Sequence, residues 1–188
     1  MKNTIRRILQ DSIKVKENVL KTQILVIEKV AREVIACLKT GHKIIFLGNG
    51  GSAADSQHLA AELVGRFQKN RRGLAAISLN VNTSVITALA NDYGYEYVFS
   101  KQLEALAEKG DLVIAISTSG NAKNVIMAVK KAGAMKIKTI GLTGGTGGDL
   151  TKLADTSITI ASKITARIQE AHICIGHIIC ELVEEALF

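Results

Sequence analysis

The chain has 188 residues, of which 47% are hydrophobic, 22% charged and 4% aromatic, and its formal net charge is +7. This length predicts one domain that buries a core without disulfides or a structural metal, and the composition excludes a disordered chain. A basic balance favours anionic partners, but the few aromatic residues and the scattered lysines and arginines argue against nucleic acid. The scattered charges are typical of an ordinary solvated basic surface, and phosphorylated metabolites are the other anionic partners that such a balance favours.

The N-terminal region gives no sign of export or membrane anchoring. It lacks the apolar core of a signal peptide, and no apolar run approaches the roughly 18 residues that a membrane span needs. The cysteines are three, an odd number, and none belongs to a C-x-x-C pair. We therefore expect a cytoplasmic protein with free thiols and no membrane partner.

The chain begins with a helical pattern and continues as alternating strands and helices. Apolar residues recur at helical spacing over residues 4–38, which predicts two helices, or one long helix that packs on a partner subunit. Short apolar runs predict buried strands at 43–47, 75–79, 112–116, 138–142 and 157–160. Helical patterns lie between and after them, at 52–67, 84–90, 96–107, 124–134 and 165–187.

This alternation predicts an α/β fold, a three-layer doubly wound sheet of about five parallel strands with helices on both faces. Residues 1–188 then form a single domain, in which residues 1–40 are a helical segment that packs in an oligomer. In an open parallel sheet, ligands bind outside the carboxyl ends of the strands. The candidate site therefore lies in the loops at that edge.

The loop after the first predicted strand, GNGGS at 48–52, has the composition of a ligand-binding turn. Its glycines let the backbone approach a ligand closely, and the following helix offers unpaired N–H groups and the positive end of its dipole. The alternative is a plain strand–helix turn in which Ser52 caps the helix. The loop fits neither G-x-G-x-x-G nor a motif ending in G-K-S/T, so we expect no nucleotide cofactor.

The loop after the third predicted strand, STSGN at 117–121, carries three adjacent hydroxyl groups. Hydroxyl and backbone N–H groups at a helix entrance suit the oxygens of a phosphate. An ordinary capping turn is the alternative, but three hydroxyls exceed what capping needs, so we favour phosphate binding. The glycine-rich turn at 143–148 is predicted to be only a loop.

Two pairs of polar residues lie on the predicted helices. His58 and Glu62 are four residues apart and share one face, either as a surface pair or as part of a site. The closing helix carries Gln169, Glu170, His172 and His177 among many isoleucines, and polar side chains in such a setting need partners. A lone histidine there is ordinarily a satisfied core residue, but Gln169 and His177 together favour a site.

Taken together and in order, five motifs resemble the phosphoheptose isomerases, which have the sugar-isomerase (SIS) fold. The motifs are G-N-G-G-S-A-A at 48–54, H-x-x-A-E-L-x-G-R-F at 58–67, A-N-D-Y-G at 90–94, S-T-S-G-N at 117–121 and A-R-I-Q-E-x-H at 166–172, with His177 beyond them. Each motif is weak alone, whereas the combination is specific and extends over most of the chain.

The resemblance implies a ketose–aldose isomerase that converts D-sedoheptulose 7-phosphate to D-glycero-D-manno-heptose 7-phosphate, the first step toward the ADP-heptose of lipopolysaccharide. It also implies a homotetramer and a zinc ion held by His58, Glu62, Gln169 and His177. The implied contacts of the phosphorylated heptose are Asn49, Gly50, Gly51, Ser52, Glu62, Arg66, Asn91, Asp92, Ser117, Thr118, Ser119 and Gln169. One departure is Ala122, because many members have a serine there that would add a hydrogen bond to the phosphate.

The residue types fit this chemistry. Moving a carbonyl from C2 to C1 removes a proton from C1, passes through an enediol(ate) and returns a proton to C2, so a base and an acid must flank these carbons. We expect Glu62 and His177 in these roles, in either order. A metal held by imidazole nitrogen and by carboxylate or amide oxygen would polarise the carbonyl.

The spacing of Gln169 and His177 predicts a shared site. On a straight helix, eight residues separate their Cα atoms by about 12 Å, which two side chains cannot easily close around one ion. Either the helix breaks near Gly176, or a neighbouring chain supplies one of the two residues. We prefer the second possibility, which predicts active sites shared between subunits.

Two other functions compete with this interpretation. A non-catalytic tetramer of the same fold binds a replication initiator, but that branch lacks residues matching Glu62 and His177. Sugar-phosphate-sensing regulators of this fold usually carry a separate DNA-binding domain, and no helix-turn-helix pattern precedes residue 43. An assay for aldoheptose 7-phosphate separates all three.

Overall fold

Five parallel strands form the central sheet of the protein, for which a computed structural model describes residues 1–188. In the order β2-β1-β3-β4-β5, the strands are β1 (Ile44–Gly48), β2 (Ala76–Ser78), β3 (Leu112–Ser117), β4 (Lys138–Gly144) and β5 (Thr156–Ile160). The predicted α/β sheet is confirmed, with every predicted strand within a few residues of its observed position. The strand order reverses between β1 and β3, and such a switch point is where ligands bind in sheets of this kind.

Eight α-helices surround the sheet. They are α1 (Lys2–Thr22), α2 (Ile24–Lys39), α3 (Gly51–Val64), α4 (Thr83–Tyr93), α5 (Val98–Leu106), α6 (Lys123–Ala134), α7 (Leu150–Leu153) and α8 (Thr165–Leu187). The N-terminal pattern forms two helices that meet at Gln23 rather than one. A 3₁₀ turn over Tyr95–Tyr97 occupies the start of the helix predicted at 96–107, and the four-residue α7 is too short to show a periodicity in the sequence.

Alternating residues of the strands fill two cores, one on each face of the sheet. Phe46 and Ile114 belong to the core covered by α2, α3 and α8, whereas Ile45 and Val113 belong to the core covered by α5 and α6. Burying one such side chain contributes about 1.5–3 kcal/mol, so strands buried on both faces hold the sheet rigid. The predicted three layers are confirmed.

The first helix lies at the margin of these cores, where Val15 and Val19 pack partly buried against the core covered by α2, α3 and α8. No residue of α1 is buried, and its apolar side chains Ile5, Leu9, Ile13 and Leu20 are 57%, 58%, 55% and 64% exposed. Over its whole length α1 thus presents an apolar face that the single chain leaves uncovered. None of the helices has a stretch both long and apolar enough to cross a membrane.

Candidate active site

The two loops predicted to bind a ligand lie side by side at the switch point and are joined by a pair of amides. Asn49, after β1, donates to Asn124 Oδ1 at 2.8 Å, and Asn124 at the start of α6 donates back to Asn49 Oδ1 at 2.9 Å. The hydroxyl of Tyr95 also donates to Asn49 Oδ1, at 3.1 Å. The side chain of Asn49 is therefore fixed in place, by two residues that the sequence patterns did not single out.

The loop after β1 turns within a few residues. A side chain at Gly48 would collide with the backbone of Ser52, and Gly50 has φ +55°, a conformation that favours glycine. Asn80 clamps the end of the strand, donating to Gly48 O at 2.8 Å and accepting from Gly48 N–H at 3.3 Å. Gly50, not Ser52, is the N-cap of α3, so the alternative of Ser52 as a helix cap is wrong.

The hydroxyl loop lies along an open polar cavity of about 350 Å³. Its walls include Thr118, Ser119, Thr146, Ser162, Lys163 and Thr165. Ser117 is buried at the end of β3, whereas Ser119 is exposed and its Oγ accepts the N–H of Asn121 at 3.2 Å. Ala122, immediately before α6, has no group that could cap the helix or bind an anion.

The glycine-rich turn, predicted to be only a loop, forms the other wall of this cavity. Its Gly144, Gly145 and Thr146 face the cavity, and the N–H of Leu150 donates to Gly120 O at 2.9 Å. A side chain at Gly120 would collide with Gly147 O, so both turns need glycine to pack this closely.

Two histidines and a carboxylate meet between α3 and α8. His58 Nε2 lies 2.9 Å from Glu62 Oε1 and 3.4 Å from Nε2 of His177. One ligand atom of each residue lies within 4.8 Å of the other two. The ring of Phe67 covers His177, with 5.4 Å between the ring centres. Nε2 of His58 carries at most one proton, so it can donate to only one of its two neighbours. The lone pairs that are not used in that hydrogen bond face one another between the three side chains.

A close approach of the two helices produces this group. A Cβ on Gly176 would lie 2.5 Å from Leu59 Cδ2, so only glycine allows α8 to pack this tightly on α3. The two helices run side by side in the same direction, so that Gln169 faces Gly51 near their starts and His177 faces His58 further along. His177 therefore reaches His58 from within the same chain.

Two observations bear on the spacing of Gln169 and His177 in the last helix. The helix runs from Thr165 to Leu187 without a break, so the less favoured possibility of a break near Gly176 is excluded. One chain brings His177 beside Glu62, so these two residues do not have to come from different subunits. The preferred possibility, that a neighbouring chain supplies one of Gln169 and His177, stays a prediction. Gln169 lies against Gly51, about two turns of α3 before His58.

The donor set of His58, Glu62 and His177 fits a metal ion. Two imidazole nitrogens and one carboxylate oxygen are common zinc ligands, and three protein ligands with an open position are typical of catalytic zinc. The structure thus brings together three of the four predicted ligands. Gln169 is not among them in this chain.

The remaining predicted contacts are more dispersed. Asn91 and Asp92 are exposed at the end of α4, where Asn91 Nδ2 donates to Asp92 Oδ1 at 2.8 Å. Arg66 is exposed in the loop after α3 and makes no hydrogen bond or ion pair. These three side chains are free to contact a ligand, and no contact within the chain assigns them to the group around His58.

Another histidine of α8 has a structural role. His172 is fully buried and donates through Nε2 to the carbonyl of Thr143 at 2.9 Å. Burial lowers its pKa, so the ring stays neutral. It attaches α8 to the end of β4, beside the polar cavity.

Known proteins similar to the chain share both sequence and fold. The SIS domain family matches residues 9–144. A phosphoheptose isomerase from Aneurinibacillus thermoaerophilus is 50% identical over 190 aligned residues, covering 100% of this chain and 96% of that protein. Phosphoheptose isomerase 2 of Campylobacter jejuni is 51% identical, over 95% of this chain and 90% of that one. The solved structure of phosphoheptose isomerase from Neisseria gonorrhoeae superposes with a TM-score of 0.93 at 40% identity, covering 98% of both chains.

Proposed function

The chain belongs to the phosphoheptose isomerase family of SIS-domain proteins, and from that premise we propose that it is a ketose–aldose isomerase acting on a phosphorylated heptose. Its substrate is D-sedoheptulose 7-phosphate and its product D-glycero-D-manno-heptose 7-phosphate, the first step toward the ADP-heptose of lipopolysaccharide. The observation that carries the proposal is the group of His58, Glu62 and His177, within 4.8 Å of one another. A cytoplasmic location follows from this substrate.

The hydroxyl loop binds the phosphate. Ser117, Thr118 and Ser119 offer neutral donors beside the N–H groups at the start of α6, and the cavity of about 350 Å³ has room for a phosphate. The sugar extends from there toward α3, past the loop after β1. The proposed contacts along it are Asn49, Gly50, Gly51, Ser52, Glu62, Arg66, Asn91, Asp92 and Gln169.

Glu62 and His177 carry the proton transfers. One of them removes the proton from C1, and the C–H electrons form the C1–C2 double bond of the enediolate while the C2 carbonyl becomes an alkoxide or hydroxyl. The other then returns a proton to C2, while the hydroxyl on C1 passes its proton to the oxygen on C2 and becomes the aldehyde. His58 lies between the two residues, with its Nε2 2.9 Å from Glu62 Oε1 and 3.4 Å from His177 Nε2. The ring of Phe67 lies against that of His177.

The ion that fits these donors is zinc, held by His58, Glu62 and His177, with Gln169 as the proposed fourth ligand. When bound, it would polarise the substrate carbonyl and stabilise negative charge on the enediolate oxygens. A carboxylate has two oxygens, so Glu62 can hold an ion through one and accept a proton on the other.

The protein acts as a homotetramer of single-domain chains, residues 1–188. The exposed apolar face of α1, with Ile5, Leu9, Ile13 and Leu20 more than half exposed, calls for a partner surface, and residues 1–40 supply it to neighbouring chains. We propose that the sites are shared because Gln169 of one chain completes the site of another. Mixing inactive Gln169→Ala and His177→Ala subunits should then restore part of the activity. Activity no higher than that of the separate variants would contradict a shared site.

The experiment that tests the function is an assay for aldoheptose 7-phosphate formed from D-sedoheptulose 7-phosphate. Glu62→Gln should lose about 10²–10⁴-fold in rate, the cost of a missing general acid or base, while staying folded. Glu181→Gln, at an exposed carboxylate of α8, is the matched control and should keep wild-type turnover. A folded wild-type protein that forms no aldoheptose phosphate would refute the proposed function.

A further inference from the structure

Glu184, in the last turns of α8, is a carboxylate only 1% exposed that accepts four N–H donors. The N–H of Phe67 reaches Oε1 at 2.9 Å, and those of Gln68 and Lys69 reach Oε2 at 2.8 Å. Arg71 Nε donates to Oε1 at 2.8 Å. Burial by itself would raise the pKa of the carboxyl, but these donors outweigh it and lower the pKa to about 2. A permanent charge thus fixes the backbone of the loop after α3.

Arg71, the partner of this carboxylate, caps the end of α3. Its side chain is 1% exposed, and Nη2 donates to the carbonyl of Glu62 at 2.8 Å. Nη1 donates to the carbonyls of Leu63 and Gly65, each at 2.9 Å. The last carbonyls of a helix have no partner within the helix and favour a cation. Arg71 therefore fixes the turn of α3 that carries Glu62.

The ion pair reaches the other side of the catalytic group through Phe67. Glu184 holds the N–H of Phe67, and the ring of Phe67 lies 5.4 Å from that of His177. Glu184 itself follows His177 by seven residues, about two turns of α8, and so lies on the same face of the helix. One buried pair is thus connected to Glu62 through a carbonyl and to His177 through an aromatic ring.

We propose that Arg71 and Glu184 are positioning residues that hold Glu62 and His177 at the separation required for proton transfer. The inference rests on the proposed function. Neither side chain is exposed enough to touch substrate, so the pair acts through the residues it holds. Buried ion pairs contribute little net stability, because desolvation offsets their attraction. A positioning role explains why the chain keeps a charged pair where apolar packing would serve.

The first test compares turnover in variants of the pair. Glu184→Gln keeps the shape of the side chain but removes its charge, and Arg71→Lys keeps the charge but loses the fork that reaches several carbonyls. Displacing Glu62 or His177 by about 1 Å should lower kcat roughly 10²-fold. KM for the phosphorylated substrate should stay nearly constant, because the hydroxyl loop at 117–121 makes no contact with the pair.

Asp111, the residue before β3, provides a matched control, because it is also a buried carboxylate paired with a basic side chain. It is 3% exposed, accepts the N–H groups of Lys43 and Glu108 at 3.0 and 2.8 Å, and pairs with Lys43 Nζ at 2.7 Å. Asp111→Asn should therefore lower the melting temperature as Glu184→Gln does, yet leave kcat unchanged. If kcat instead falls in proportion to lost stability in both variants, the pair is only a stabilising element and the proposal is overturned.

A second test does not depend on turnover. Zn²⁺ affinity is measured on metal-stripped protein by competition with a chromophoric chelator. Residues that orient metal ligands typically account for about 10–100-fold in affinity, which is the loss expected for Glu184→Gln and not for Asp111→Asn. If the wild-type protein fails to isomerise the heptose, the proposed function fails, and the affinity still decides the positioning role. Wild-type affinity together with wild-type kcat in folded Glu184→Gln would overturn it.

The double variant Arg71→Met with Glu184→Leu addresses the case in which single variants do not fold. Replacing both members of a buried pair by apolar residues is often neutral or stabilising, because no uncompensated charge remains. We expect this variant to fold and to show the same loss of kcat. Full activity in the folded double variant, or failure of all three variants to fold, would assign the pair a purely structural role and overturn the proposal.

Discussion

Replacing Gly51 by alanine adds one methyl group at the point where α3 meets the side chain of Gln169. The new Cβ would lie 2.7 Å from Gln169 Cδ and would overlap Nε2, whereas real Cβ contacts essentially never fall below 3.0 Å. The backbone of Gly51 does not have positive φ, so alanine itself fits the helix. The amide of Gln169 must move, and the substrate contact proposed for it must weaken.

The expected fall in kcat/KM for Gly51→Ala follows from the weakening of one hydrogen bond between Gln169 and the substrate. A bond to a charged or developing-charge partner contributes about 1.5–3 kcal/mol, which corresponds to roughly a 10- to 100-fold fall in kcat/KM. Stability should not fall, since glycine in a helix is less favourable than alanine by about 0.5–1 kcal/mol. Gly133→Ala in α6 is the control, because nothing lies within 4 Å of the added Cβ.

Kinetics of four proteins test this reasoning: the wild type, Gly51→Ala, Gln169→Ala and the double variant. If the methyl group acts only by moving Gln169, the double variant should be no worse than Gln169→Ala, so the two effects should not add. A Gly51→Ala protein within about twofold of wild type in kcat/KM, or full additivity in the double variant, would refute the role given to Gln169.

Three further substitutions have expected outcomes. Ser119→Ala should raise KM more than it lowers kcat, because the proposed contact of the hydroxyl is with the phosphate, remote from the reacting carbons. The expected loss of binding free energy is about 0.5–1.5 kcal/mol, or up to 3 with a charged partner. An unchanged KM would argue against that contact. Gly176→Ala should cost about 1–3 kcal/mol of unfolding free energy because its methyl collides with Leu59, and a melting temperature at or above wild type would contradict the close helix packing. Glu184 has a pKa lowered from 4.5 to about 2, so its stabilising effect is complete above pH 4.5 and is lost as pH falls toward 2. The stability difference between wild type and Glu184→Gln, measured by urea unfolding, should therefore shrink over that range, and a difference that grows on acidification would contradict the lowered pKa.

The sequence predicts the sheet well because its strands are buried on both faces. Runs such as 112–116 are apolar at every position, and the glycines and hydroxyls that follow them mark the edge at which the chain turns. The pairing of His58 with Glu62 is also a local property, because four residues bring two side chains to one face of any helix.

Contacts between segments that are distant along the chain could not be predicted from the sequence. No local pattern shows that Tyr95 and Asn124 meet at Asn49, or that Arg71 reaches Glu184 across 113 residues. The position of His177 depends on the packing of α8 against α3 at Gly176, which periodicity along one helix does not describe. For that reason, the spacing of Gln169 and His177 along α8 could not show that His177 lies beside His58 and Glu62 of its own chain.

The most direct test of the account is solvent-isotope incorporation during the reaction. D-Sedoheptulose 7-phosphate is incubated with the wild-type protein in D₂O, and the aldoheptose phosphate is examined by proton NMR. Proton transfer by Glu62 and His177 through an enediolate predicts deuterium at C2 of the product, and folded Glu62→Gln should form this product about 10²–10⁴-fold more slowly. A product that carries no deuterium at C2 at any extent of reaction would contradict proton transfer through this site.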